Sequence, residues 1–169
     1  MTMTFFAQPY DISATGFYFK SGEEFSGKAA KARNDYGQRV EEFEIQFIDG
    51  EGIDAALASA IGIHQGNIAA FIELAEELDE HEKRVLIIAG AELGYTIDPK
   101  DADPEAFDID IYEGLSMREL GEQFVDDGLF GEIPEQLAHY IDYDAIARDL
   151  AIEYTETEIA GERLIYRSA

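Results

Sequence analysis

The pattern of apolar and polar residues predicts strands in three short segments of the chain. Residues 15–20 are rich in aromatic side chains, which favours a strand. In residues 42–48 and 107–112, apolar and polar residues alternate, and a two-residue period of this kind is typical of half-buried strands. Within the second segment, the alternation predicts that Phe43, Ile45 and Phe47 face a core. No opening strand is evident before the first segment.

A fourth strand signal lies at the end of the chain. Residues 152–159 and 162–166 are interpreted as strands that flank the pair Ala160 and Gly161. Two strand-like segments joined by a short glycine-containing turn predict a β-hairpin.

Helical periodicity fills the intervals between these strands. Ser21 and Glu24 have the spacing of a capping box, which predicts a helix that runs to about Tyr36 and ends at Gly37. Residues 55–61 and 67–78 are predicted to be helical. Asp79 is predicted to cap the helix that follows them.

A second capping-box spacing, Ser116 with Glu119, predicts a helix that buries Leu120 and Phe124 and stops at Gly128. Short helices are predicted over residues 135–140 and 143–150. The order of elements predicts an α+β protein of three small domains: an α+β domain at 1–52, a mostly helical domain at 53–97 and an acidic α+β domain at 98–169. The segment 97–104, with two prolines, is interpreted as the linker before the third domain.

The charge of the chain is strongly negative, with 37 acidic against 12 basic residues and a net charge of -25. Its 46% hydrophobic content argues that the chain nevertheless folds. The three predicted domains carry net charges of -4, -6 and -15, so the acidity is concentrated in the last third. No basic stripe is present to neutralise phosphates, which argues against direct nucleic-acid binding and against docking on an anionic membrane.

Candidate chemistry is sparse. The chain has no cysteine, and its three histidines, at positions 64, 81 and 139, have no metal-ligand spacing. A calcium-loop pattern that starts at Asp101 fails, because Ala106 stands where glycine is needed and Tyr112 where the bidentate glutamate is needed. We therefore expect no cofactor and no metal, although a looser cation site built from carboxylates remains an alternative.

Targeting signals are not evident either. Residues 1–10 lack a cationic stretch followed by an apolar run, so no signal peptide is predicted. No segment approaches about 18 consecutive apolar residues, so no membrane span is predicted. We expect a cytoplasmic protein.

The acidity itself has two interpretations. It either confers solubility or forms a patterned anionic surface for a basic partner. Duplex DNA carries one negative charge per about 1.7 Å of axis, so two associated chains would carry the charge of about 85 Å of duplex. A folded protein with that charge density competes for a groove that is built to hold DNA.

Several segments carry a family resemblance. In the last third they are residues 133–137 (IPEQL), 140–143 (YIDY) and 147–150 (ARDL), followed by the predicted hairpin and preceded by the acidic helix over 120–127. In the first domain they are residues 16–18 (GFY), 29–34 and 41–45 (EEFEI). Together these segments resemble the ArdA antirestriction family. The resemblance covers most of the chain and is closest after about residue 107.

The resemblance implies an elongated homodimer of three-domain chains, carried by mobile genetic elements. It implies a non-enzymatic mimic of bent DNA that binds and inhibits Type I restriction–modification enzymes. The expected partner-binding surface, termed the acidic set, consists of Asp101, Asp103, Glu105, Asp108, Asp110, Glu113, Glu119, Glu122, Asp126 and Asp127. Core or dimer contacts are expected from Tyr112, Phe124, Tyr140 and Tyr143.

Two other functions stay open at the level of sequence. One is an acidic adaptor that binds another basic DNA-binding protein. The other is an enzyme with a cation-dependent carboxylate site, which would need stoichiometric metal and would lose activity when one or two acids were changed.

Overall fold

The computed structural model describes residues 1–169 and has a mixed α+β architecture, as predicted. The chain divides into two compact units, Met1–Ala106 and Phe107–Ala169. Each unit contains one antiparallel three-stranded sheet. The further division into three domains, and their elongated arrangement, stay predictions.

The sheet of the first unit is built on a strand that the sequence pattern missed. β1 (Thr4–Pro9) lies between β2 (Phe17–Phe19) and β3 (Phe43–Asp49). Phe5 and Ala7 point into the core, whereas Phe6 lies on the opposite face and contacts Tyr18, with ring centroids 4.8 Å apart and ring planes tilted by 57°. Because both faces of this strand carry apolar side chains, the alternation that marks a half-buried strand is absent.

The first helix, α1 (Gly22–Lys31), begins where it is predicted and ends earlier. Ser21 accepts a hydrogen bond from the backbone of Glu24, but the Glu24 carboxylate accepts from Lys20 N, so only half of the predicted capping box forms. The helix ends at Lys31 rather than near Tyr36. The reason lies in the loop that follows the helix.

Asn34 organises that loop and so ends the helix early. Its side-chain oxygen accepts hydrogen bonds from the backbone of Tyr36 and Gln38, at 3.0 and 2.9 Å. Its amide nitrogen donates to Asp11 at 2.9 Å. This bond, with those from Ser13, lowers the pKa of Asp11. Asparagine side chains that bond to nearby backbone groups compete with helix formation in this way.

Three helices complete the first unit, in agreement with the pattern: α2 (Gly52–Ile61), α3 (Ile68–Glu77) and α4 (Glu80–Ile87). Asp79 caps α4 with a complete capping box, and a π-helical turn, Ile88–Glu92, extends it. A buried ion pair joins α2 to α4, with Lys83 Nζ 2.7 Å from Asp54 Oδ1 and side chains that are 9% and 6% exposed.

The segment interpreted as a linker, residues 97–104, contains no helix or strand before a 3-10 turn at Pro104–Ala106. It is nevertheless anchored, because Ile97 is buried and its side chain lies beside Gly90.

The second unit follows the predicted element order closely. β4 (Ile109–Glu113) leads to α5 (Met117–Asp126), a 3-10 helix (Glu135–Tyr140), α6 (Tyr143–Leu150) and the hairpin β5 (Thr155–Ile159) and β6 (Glu162–Ser168). The sheet order is β4-β6-β5. Leu120, Phe124, Tyr154 and Ile165 form its core, with Tyr112 packed against them.

The hairpin turn contains the one non-glycine residue with a positive φ, Ala160, at 52°, followed by Gly161 at 82°. Two such residues form a type I′ turn, for which Asn-Gly is strongly preferred.

We expect Ala160→Asn to raise the free energy of unfolding by about 0.5–1 kcal/mol, because asparagine tolerates the left-handed region better than alanine. Thermal unfolding measures the gain, and Ala169→Asn, at the chain end, is the control. An unchanged free energy of unfolding would show that the left-handed conformation of Ala160 does not destabilise the protein.

Candidate partner-binding surface

The acidic set is divided between the two units. Asp101, Asp103 and Glu105 belong to the first unit, and the other seven residues belong to the second. Nine of the ten residues are exposed and Glu122 is half-buried. The predicted surface therefore consists of solvent-facing carboxylates, which do not all belong to the same helix or strand.

Helix α5 carries the most regular part of the set. Glu119, Glu122 and Asp126 follow at steps of three and four residues, which places them on one face of the helix. Leu120 and Phe124 lie on the opposite face and are buried in the core of the second unit. Core packing on one side thus fixes the acidic face on the other.

Strand β4 does not present its acids on a single face. Asp110 and Glu113 lie three positions apart along the strand, so their side chains leave opposite faces of the sheet. Asp110 is paired in register with Arg167 of β6, and their charged atoms lie 3.8 Å apart. Asp110 and Glu113 therefore do not form a common surface.

Five members of the acidic set have interactions within the chain. Asp103 accepts a hydrogen bond from Glu105 N, Glu119 completes the capping box of α5 by accepting from Ser116 N at 2.9 Å, and Glu122 binds Arg118. Asp110 pairs with Arg167, and Glu113 is also engaged. The other five carboxylates make no hydrogen bond or ion pair: Asp101, Glu105, Asp108, Asp126 and Asp127.

Helix α6 adds carboxylates that the sequence analysis did not select. Asp144 and Asp149 lie on this helix and are exposed, and Asp142 caps its start by accepting a hydrogen bond from Ala145 N at 3.0 Å. The high acid count of residues 98–169 was the signal for them. Over the whole second unit, 16 acidic residues stand against 4 basic ones.

Arg118 is a second residue that the sequence analysis missed. Its guanidinium bonds Glu122 of its own helix at 3.1 Å and Asp144 of α6 at 2.6 Å. It also lies 5.7 Å from the centre of the Tyr143 ring. The hydrogen bond to Asp144 and the charge of its carboxylate raise the pKa of Arg118.

An exposed hydrophobic region follows α5. Leu129, Phe130, Leu137 and Tyr140, termed the apolar patch, are each more than half exposed, and Tyr140 reaches 83%. Of the core or dimer contacts expected from the aromatic residues, a core contact is excluded for Tyr140, whereas Phe124 is buried and Tyr143 is half-buried under Arg118. A depression of about 560 Å³ in the same unit is lined by both apolar and acidic residues, among them Val125, Ile133 and Asp126.

Two further properties bear on the candidate functions. No group of three or more histidine, aspartate or glutamate side chains is arranged to hold a metal ion. Each helix is too short or too polar to cross a lipid bilayer.

Comparison with known proteins gives one family. Curated proteins provide no significant match to the chain. A family model described as antirestriction protein (ArdA) matches residues 19–161, which include α1 to α6 and the strands β3, β4 and β5. The resemblance of the sequence motifs is thereby confirmed, and the chain belongs to the ArdA family of antirestriction proteins.

Proposed function

We propose that this protein is a DNA mimic that occupies the DNA-binding groove of a Type I restriction–modification enzyme and thereby inhibits it. It acts by binding rather than by catalysis, in the cytoplasm, on behalf of a mobile genetic element. The family supports the antirestriction role. The acidic face of α5, with the unpaired carboxylates of Asp126 and Asp127 at its end, supports the mimicry.

The spacing of the carboxylates on α5 is close to the spacing of the phosphates on one DNA strand. From Glu119 to Asp126 the helix rises about 10.5 Å and carries three carboxylates on one face. One strand of duplex carries a phosphate per about 3.4 Å of axis, and so about three over the same length. Binding such a surface gives a basic groove the same charge complementarity that DNA gives it.

The experiment that tests this function is a competition assay. The protein is titrated into a Type I methyltransferase that holds labelled target duplex, at low and at moderate salt, with polyglutamate of equal total charge as the control. We expect displacement near stoichiometric protein, weaker at the higher salt, and none by polyglutamate. Absence of displacement at large excess would overturn the Type I assignment and favour an adaptor for another basic protein.

We further propose that two chains associate through the apolar patch. Exposed hydrophobic side chains that are grouped together and bordered by polar residues mark association sites. The four side chains of the patch lie within residues 129–140 of the second unit, and each is more than half exposed. Two chains joined here double the charge that faces the target.

A double substitution tests the dimer. Leu137→Glu with Tyr140→Glu is expected to convert a dimer to a monomer, because it places four additional charges in the interface of two copies. Light scattering after gel filtration measures the mass. Ile152→Glu, at a residue of the same unit that is 82% exposed and lies outside the patch, is expected to leave the dimer intact. A dimer that survives the double substitution would place the interface elsewhere.

A further inference from the structure

Arg118 connects the two acidic helices of the second unit. It projects from α5 at the border between the acidic face and the side that packs on α6. Its Nε donates to Glu122 and its terminal nitrogen donates to Asp144, so one guanidinium holds a carboxylate from each helix. The Tyr143 ring lies against the same guanidinium. Three contacts therefore fix its position.

The two helices need such a connection because they are close and carry like charges. A Cβ atom on Gly121 of α5 would lie only 2.9 Å from Ile146 Cγ2 of α6, which shows how near the helices approach. Glu122 on α5 and Asp144 on α6 repel each other unless a cation lies between them. The planar guanidinium suits this position, since its donors point in fixed directions towards two acceptors.

We propose that Arg118 is a positioning residue, which holds α5 and α6 at the separation at which their carboxylates fit the groove of the target. This inference rests on the proposed function. Charge alone gives the opposite expectation, because removing a basic residue from an acidic ligand strengthens its binding to a basic groove.

Substitutions at Arg118 separate the two expectations. Arg118→Lys keeps the charge but cannot hold two carboxylates with the same planar geometry, and Arg118→Gln removes the charge. In the competition assay we expect binding about threefold weaker for Arg118→Lys and about tenfold weaker for Arg118→Gln. Charge alone predicts unchanged binding for the first variant and tighter binding for the second.

Arg148 provides the matched control. It lies on α6, is exposed and makes no side-chain hydrogen bond or ion pair. Arg148→Gln changes the net charge by the same amount without loss of a contact between the helices, so we expect binding equal to or slightly tighter than that of the original protein. If Arg118→Gln behaves like Arg148→Gln, Arg118 has no positioning role and the proposal is overturned.

A readout without the enzyme keeps this inference distinct from the proposed function. Backbone amides of α6 are expected to exchange with solvent several-fold faster in Arg118→Gln than in Arg148→Gln, because α6 has no buried residue and depends on α5 for its position. Equal exchange in the two variants would overturn the positioning role even if the original protein displaced DNA. Failure of the original protein to displace DNA, with faster exchange in Arg118→Gln, would overturn the proposed function alone.

Discussion

Replacement of the five unpaired carboxylates of the acidic set by amides is expected to weaken binding to the restriction–modification enzyme by roughly 70-fold. The variant combines Asp101→Asn, Glu105→Gln, Asp108→Asn, Asp126→Asn and Asp127→Asn. An exposed charge contributes about 0.5 kcal/mol to such an interaction, so five contribute about 2.5 kcal/mol, and about 1.4 kcal/mol corresponds to a factor of ten. Each single change is expected to cost less than about threefold.

These five sites suit the test because the fold does not use their side chains. None of them accepts a hydrogen bond or pairs with a base, so the amides remove charge without removing a cap or an ion pair. The competition assay with labelled duplex measures the loss, and circular dichroism checks that the fold is retained.

A matched variant removes the same number of charges elsewhere. It carries glutamine at five exposed glutamates of the first unit that also make no side-chain bond: Glu23, Glu41, Glu73, Glu76 and Glu77. We expect a loss below about tenfold, since these sites contribute only through the overall field, which salt screens. Equal losses in the two variants would contradict a specific contribution of the acidic set and indicate that total charge alone determines binding.

The sequence predicted the element order of the second unit better than that of the first, in which β1 was missed. β3 alternates between buried and exposed positions, so its period is visible in the residues. β6 has three consecutive buried residues and is instead marked by the short glycine-containing turn before it. β1 carries Phe5 and Phe6 on opposite faces, so its residues show no alternation of apolar and polar types. The early end of α1 depends on Asn34 and Asp11, which are 23 positions apart. Contacts at such separations are set by the tertiary fold.

The candidate site shows the same limit. Composition and helical spacing predicted that Glu119, Glu122 and Asp126 are exposed on α5, and the structure places them on one face. The sequence could not separate carboxylates that face a partner from those that cap helices or bind arginine. Arg118 and Asp144 are 26 positions apart, so their bond becomes apparent only when α5 and α6 are packed together.

A second large effect is expected on the stability of the first unit, where a buried ion pair joins two helices. Lys83 and Asp54 are 29 positions apart, and both are almost fully buried between α4 and α2. Lys83→Met is expected to lower the free energy of unfolding of the first unit by about 3–5 kcal/mol, because it leaves the carboxylate of Asp54 without its cation in a poorly solvated place. Urea unfolding followed by circular dichroism measures the loss, and hydrogen exchange in α2 and α4 assigns it to this unit.

The double variant Asp54→Leu with Lys83→Met is expected to recover most of that loss, since a buried ion pair and a hydrophobic pair of similar volume have comparable stability. Recovery falls short by about 0.3–1 kcal/mol, because Asp54 lies in the first turn of α2, where a negative charge is favourable. Lys31→Met is the control: Lys31 is exposed and unpaired, and its loss is expected to cost less than about 0.5 kcal/mol. A cost below about 1 kcal/mol for Lys83→Met would mean that water reaches Asp54 once the lysine is gone, and that the pair does not hold α2 against α4.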